Sequence, residues 1–361
     1  MKEEINQILL FYDMKVKSAE SLDDDNDTFK LIDNSDNQYF LKIYGKSDDY
    51  DIIPGERVYD TYEQIQLESE ILLLLSDSIL KTAVPLKNKN GDFVTTLNHN
   101  LKDNSIDSND KPIFATITTF IEGAVNQNSQ PPTIEMAYLA GVSAAQLHLE
   151  SKKKLLPIAV KRLHKRQDYI LKIKGVLSQG AKSDILTGAQ YEMVSQCCDV
   201  VIDCMNRLDE EIENNVGLVH TDIRNTNIVY TQNHAILIDF SRSVYSYYLY
   251  DLAEMCLHGN FGGSSPQLQN AILRGYHSVI PLTKYNIFAM QVFFAMFILT
   301  IMAEVIGSKQ SNPWLESVLK WFADEVHPGL VSGKGYLEPS AYENILVGSA
   351  IATQDVSGSE R

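Results

Sequence analysis

The chain has 361 residues, 44% of them hydrophobic and 22% charged, and carries a net charge of −16. That length builds one large or two ordinary domains with sizeable cores, and the composition is that of a soluble globular protein. The acidic balance argues against nucleic acid or an anionic membrane as the main partner.

Ile5, Ile8, Leu9 and Tyr12 recur at helical spacing, so residues 1–20 are expected to form a short amphipathic helix. The N-terminus has charge but no apolar h-region, which speaks against a signal peptide and for a cytoplasmic protein. Two β-like runs, 28–32 and 38–44, flank an Asp/Asn-rich turn and read as a hairpin. A polar loop over 45–61 precedes a helix over 62–75. Strands are expected over 84–97 and 113–120, with the polar stretch 98–110 between them as a hairpin insertion. Residues 21–120 thus predict a small, mostly antiparallel sheet with one helix.

From Thr133 onward the periodic segments are helical: 133–150, 159–175, 186–213, 265–280, 285–307 and 312–325. Residues 287–303 are almost wholly apolar. They fall short of the roughly 20 residues that span a bilayer and contain Gln291, so a buried core helix is expected and no membrane span. Cys197, Cys198, Cys204 and Cys256 include no Cys-x-x-Cys pair, and buried reduced thiols are expected. The cations at 152–154 and 161–166 are expected to form a solvated helix face. The last ten residues are polar and small, and are expected to fray.

One stretch interrupts the helices. An apolar run beginning at Gly217 leads into His220-Thr-Asp222, Asn227 follows five positions after the Asp, and a second apolar run ends in Asp239-Phe240. Phosphoryl transfer needs these groups: one carboxylate to take or orient the proton of the attacking hydroxyl, and an amide oxygen and a second carboxylate to hold a metal on the phosphates. The offset from Asp222 to Asn227 matches the kinase catalytic loop. Lys42, alternating with Leu41 and Ile43 on its strand, is placed to bind phosphates. Its carboxylate partner is expected on the 62–75 helix. Glu68 falls on the apolar stripe of Ile65 and Leu72, whereas Glu70 falls off it and is the fallback.

With Tyr39 to Lys42, Thr118 to Gly123, Leu139 to His148, the 220–227 and 238–240 motifs, and Tyr250 to Ala253, the chain resembles the aminoglycoside phosphotransferase and choline kinase-like family. The matches span about residues 26–255. The resemblance implies an α+β, protein-kinase-like bilobal fold: a nucleotide-binding lobe over 1–120, a hinge near 118–123 and a helical catalytic lobe over 121–361. It implies a kinase that uses ATP and Mg to phosphorylate a small-molecule hydroxyl on an amino alcohol, a hydroxylated amino acid or an amino sugar. Asp222 would be the base, Asn227 and Asp239 would hold Mg, and Lys42 would bind phosphates. Backbone groups of Thr119 and Ile121 would meet adenine. His220 would brace the loop, and Asp251 would anchor it from a helix start.

Three departures from the family pattern stand out. Thr221 replaces the glycine often found between the His and the Asp, a change the loop should tolerate. Ser241, not an acid, follows Asp239-Phe240. The stretch 21–28 holds four aspartates and no glycine where a phosphate-covering loop belongs. Arg224 has two readings, a contact to the γ-phosphate or a substrate carboxylate, or a salt bridge to a surface acid. A protein kinase is disfavoured, because the interval from Asp239 to Asp251 is too short for an activation loop. An inactive nucleotide-binding protein stays open because of the Asp-rich stretch.

Overall fold

The computed structural model describes residues 3–22, 27–44, 61–97, 112–125, 130–211, 215–258, 263, 265–308 and 312–345. The acidic run at 23–26, nearly all of the 45–61 loop, the 98–110 insertion and the last ten residues lie outside the described residues. The chain divides into two compact units. The first gathers the described residues up to 44, those over 61–123, and Ile238–Ser241; the second holds the rest.

In the first unit, helix α1 (Glu3–Leu9) precedes strands β1 (Val16–Ser21), β2 (Thr28–Asp33) and β3 (Gln38–Tyr44). Helix α2 (Tyr62–Ser76) and strands β4 (Thr95–Leu97) and β5 (Ile113–Thr119) follow. The strands form one antiparallel sheet in the order β1-β2-β3-β5-β4. Side chains alternate across a strand, so Phe29, Leu31, Leu41, Ile43, Ala115 and Ile117 share one face and pack with Ile5 and Ile8 of α1. The face carrying Lys42 and Tyr44 is more polar. There Tyr44 packs with Ile65 of α2, which brings the helix to the lysine's side of the sheet. Thr61 caps α2 by accepting from Gln64 N.

In the second unit, β6 (Ala124–Val125) is followed by α3 (Ile134–Glu150), α4 (Leu156–Ala159), α5 (Gln167–Lys182) and α6 (Gly188–Glu210). Next come β7 (Val216–Val219), β8 (Ile228–Tyr230), β9 (Ala235–Leu237) and β10 (Val244–Tyr247). Helices α7 (Leu249–Leu257), α8 (Pro266–His277), α9 (Lys284–Gly307), α10 (Pro313–Trp321) and α11 (His327–Val331) complete it. Strands β7 and β10 pair antiparallel, as do β6, β8 and β9 in that order. Helices α3 and α8 cross with almost no side chain between them. A Cβ on Gly141 would lie 2.1 Å from the Ile272 carbonyl oxygen, and one on Gly275 would lie 2.0 Å from that of Tyr138.

Helix α9 is the one described helix long and apolar enough to cross a membrane, and 78% of its most apolar window is buried inside the protein, as expected of a core helix. Its one interior amide is put to use: Gln291 Oε1 accepts from Tyr336 N and Leu337 N, which fastens the chain after α11 to the core. The four cysteines are free and buried. Burial raises the thiols of Cys197 and Cys204 to about 12 and about 11, so they stay protonated.

Four expectations need correction. Residues 16–21 form edge strand β1, not the end of a helix; Val16-Lys-Ser-Ala-Glu-Ser is too polar to show an alternating pattern, and its pairing to β2 holds it in place. The expected strand over 84–97 is a strand only at 95–97. Before that, Asn88 Oδ1 accepts from Asn90 N and Asp92 N and turns the chain. The expected 159–175 helix begins eight residues later, at Gln167, after a π-helical turn at Ser151–Leu155 and the short α4. The 161–166 cations are not all solvated: Arg162 and Lys165 are buried. Arg162 Nε donates to the Ser243 carbonyl, and the Lys165 ammonium lies over the Tyr250 ring and donates to its hydroxyl at 3.3 Å.

Candidate active site

In the first unit, β3 presents Lys42 on the polar face of the sheet. Its Nζ donates to Asp239 Oδ1 at 2.8 Å. Burial works against the ammonium, yet Asp239, Tyr44 and Glu68 outweigh it and hold Lys42 well above its ordinary value. Lys42 is therefore charged at any physiological pH. Glu68 is 95% buried, as its place on the apolar stripe of α2 requires. Its Oε2 accepts from the Tyr44 hydroxyl at 3.2 Å. The expected direct pair of Lys42 with Glu68 is therefore corrected: the lysine's salt bridge is to Asp239, and Tyr44, two residues beyond it on the same face, takes the glutamate, whose charge reaches Lys42 through space. Burial and the Glu68 charge push the Tyr44 hydroxyl upward, so it remains a donor. Glu70 accepts instead from Gln66 on the helix surface. Asp239 adopts a left-handed conformation, φ 61°, and its Oδ1 also accepts from the Ser241 hydroxyl at 2.7 Å. The serine in place of a second acid thus orients the first one.

At the end of β5, Thr119 N donates to the Val84 carbonyl at 2.9 Å, and Thr119 Oγ1 accepts from Val84 N. The amide of Thr119 is thereby committed. Phe120 N donates to the Gln38 carbonyl, and Ile121, beyond the paired strand, is half-buried.

In the second unit, β7 leads into the 220–227 loop. Asn227 Nδ2 donates to Asp222 Oδ2 at 2.8 Å and to the Asp222 carbonyl at 3.0 Å. The five-residue offset closes a loop that holds the carboxylate in one orientation. Arg224 Nε lies 3.2 Å from Asp222 Oδ1. The acid it meets is thus Asp222 itself, not an acid of the surface. Asp251, on the first turn of α7, is fully buried. It accepts from His220 N at 2.9 Å and Thr221 N at 2.7 Å, so one carboxylate holds both amides preceding Asp222. His220 is itself fully buried.

Residues that the sequence reading left without a role complete this support. His148 Nε2 lies 3.0 Å from Asp251 Oδ2, Nδ1 lies 2.8 Å from the Tyr276 hydroxyl, and the ring stacks on Tyr248. Since the carboxylate only accepts, Nε2 carries a proton. The close α3–α8 crossing is what brings Tyr276 to His148. One turn beyond Asp251, Glu254 is buried within the field of Lys165, Asp251 and Asp222. Burial raises its carboxyl well above the ordinary range, with Lys165 working against the rise. Burial lowers His258, opposed by Asp222. The sequence carried faint signals of these: the Leu-His pair marked His148, and helical spacing from Asp251 reaches Glu254.

Among the described residues no cluster of three or more His, Cys, Asp or Glu side chains could hold a metal alone. Asn227 in the second unit and Asp239 in the first each carry an oxygen donor of the kind that suits Mg²⁺, a hard cation that takes few protein ligands and completes its shell with phosphate and water. Asn227 gives its Nδ2 to Asp222, which turns the amide oxygen, the only end of the amide able to meet a cation, away from that contact.

A family described as the phosphotransferase enzyme family has a sequence model that matches residues 21–286. No curated protein matches the sequence. Among solved structures, a microcompartment-associated aminopropanol kinase superposes with a TM-score of 0.66 at 17% identity, covering 93% of this chain and 99% of that one. An amicoumacin kinase in complex with AMP-PNP, Ca²⁺ and Ami gives 0.60 at 16% identity, over 93% and 95%. A spectinomycin phosphotransferase in complex with ADP and spectinomycin gives 0.54 at 18%, over 92% and 96%. At such identities these likenesses establish the fold, which is the protein-kinase-like one expected.

Proposed function

Since the chain belongs to the phosphotransferase enzyme family, we propose that it transfers the γ-phosphoryl group of ATP to a hydroxyl of a small molecule, with Asp222 as general base. The observation that carries this is the pair of hydrogen bonds from Asn227 Nδ2 to the Asp222 carbonyl and to Asp222 Oδ2, the second of which orients the carboxylate. Asp222 orients the acceptor hydroxyl and takes its proton as the phosphoryl group arrives. Lys42 binds the phosphates, and Asp239, which it meets at 2.8 Å, would be one of the residues to hold the metal. Mg²⁺, when bound through Asn227 and Asp239, supplies charge neutralisation on the phosphates. Asp251, His148 and Tyr276 hold the loop and touch neither substrate. At the adenine, with the Thr119 amide given to Val84 and its carbonyl already accepting the Thr118 hydroxyl at 3.2 Å, the Ile121 amide and the second lone pair of the Thr119 carbonyl are the backbone groups to be used.

An amine-bearing acceptor is favoured. The net charge of −16 raises the local concentration of cations, and the aminopropanol kinase and spectinomycin phosphotransferase carry the names of amine-bearing acceptors. A thermal-shift screen of amino alcohols, hydroxylated amino acids and amino sugars, run with an ATP analogue and Mg²⁺, tests the proposal. A true acceptor raises Tm by mass action and stimulates ADP release with ATP. Uniform silence of the panel, with no ADP release, would favour a nucleotide-binding protein without activity.

A further inference from the structure

We propose that the Thr221 hydroxyl is a positioning clamp for the catalytic loop, and that it is the reason this chain keeps a β-branched residue at a position built for glycine. The proposal rests on the phosphotransfer reading of Asp222. Thr221 has φ 57°, the left-handed region in which a β-branched side chain is strained. Glycine would occupy it without strain, so the threonine must return something that glycine cannot.

The pairing of β7 with β10 shows what it returns. Their register runs Tyr247↔Val216 to Val244↔Val219, and two further positions set Thr221 opposite Arg242. The left-handed turn at Thr221 takes its main chain out of the ladder. Its amide goes to Asp251 Oδ1 at 2.7 Å. In place of a ladder bond, Thr221 Oγ1 donates to the carbonyl of its register partner Arg242 at 2.6 Å. Thr221 is 93% buried, so its hydroxyl is largely withdrawn from solvent. The residue immediately before Asp222 is thus tied on two sides, by its amide to α7 and by its side chain to the lead-in of β10. The expectation that threonine is merely tolerated here understates its part.

Three variants separate the hydroxyl from the shape. T221S keeps the hydroxyl and should retain kcat within about twofold. T221V keeps the branched shape and the strain but loses the donor. T221G loses the donor and relieves the strain, and so guards against misfolding of the valine variant. Both T221V and T221G should lower kcat about tenfold, equivalent to about 1.4 kcal/mol in the barrier, with KM for ATP nearly unchanged. Amide hydrogen exchange over 220–227 should accelerate in T221V and T221G but not in T221S. Wild-type kcat and exchange in T221G would overturn the clamp, as would equal losses in T221S and T221V. If the wild-type protein phosphorylates no acceptor, the phosphotransfer reading fails by itself. The exchange comparison then still decides the clamp: equal rates in all four proteins would refute it.

Discussion

Replacing Asp251 with asparagine exchanges one oxygen for an amino group at a point where three donors converge. Asp251 accepts from His148 Nε2 at 3.0 Å, His220 N at 2.9 Å and Thr221 N at 2.7 Å, and the side chain is wholly buried. An asparagine amino group placed at Oδ1 faces the Thr221 amide. Placed at Oδ2, it can be met by a tautomer shift of His148, but the His220 amide is left without an acceptor. Either way one buried N–H is orphaned, at about 1–3 kcal/mol, and the remaining bonds lose their charge assistance. We expect a loss of about 2–3 kcal/mol, or roughly 4–12 °C in Tm for a unit of this size. Asp251→Ala orphans all three donors and opens a cavity, and should cost about 4 kcal/mol or more. Differential scanning calorimetry of the two variants beside the wild type is the assay. The reasoning fails if Ala is no worse than Asn, or if neither moves the transition.

Other substitutions test other links. Glu68→Gln should raise KM for ATP several-fold, since Glu68 acts on Lys42 through its field and the Tyr44 hydroxyl; Glu70→Gln, whose partner among the described residues is Gln66 one turn earlier, should be silent. Steady-state kinetics that show the reverse would reassign the lysine's helix acid. Lys42→Met should leave Asp239 without its cation and lower kcat/KM for ATP about a hundredfold or more, about 2.7 kcal/mol or above; unchanged ATP kinetics would remove Lys42 from the site. Burial lifts Glu304 from 4.5 to about 7 against Lys165 and Arg242. The fold therefore holds a proton that the unfolded chain has lost, and stability should fall as pH rises from about 4.5 to about 7. Glu304→Gln should remove that decline, leaving the variant about 1–2 kcal/mol more stable than wild type at pH 8 after allowance for partial exposure. Urea unfolding at pH 5 and pH 8 checks this, and parallel declines in both proteins would refute it.

The parts most legible in the sequence were those whose chemistry is local. The spacing of Asp222 and Asn227 anticipates a hydrogen bond within one loop, and the stripe Ile65–Leu72 places Glu68 on the inner face of α2. The long apolar run over 287–303 announced α9. What stayed hidden depends on contacts far apart in sequence. Strand β1 exists because β2 offers it an edge. His148 matters because the α3–α8 crossing, allowed by Gly141 and Gly275, carries Tyr276 to it. Lys165 looked like one more surface cation until the rings of Tyr169 and Tyr250 enclosed it. Backbone strain was equally invisible: nothing in His220-Thr-Asp222 alone says that Thr221 is left-handed.

The claim that everything else depends on is that Asp222 is the base of a phosphoryl transfer to a small-molecule hydroxyl. The direct test is the rate of acceptor-stimulated ADP release by wild type and Asp222→Asn, with ATP affinity measured separately by calorimetry. Asparagine keeps the shape and can still meet Asn227, so nucleotide binding should persist while kcat falls on the order of 10²- to 10⁴-fold. An Asp222→Asn protein that turns over acceptor at the wild-type rate would contradict the account.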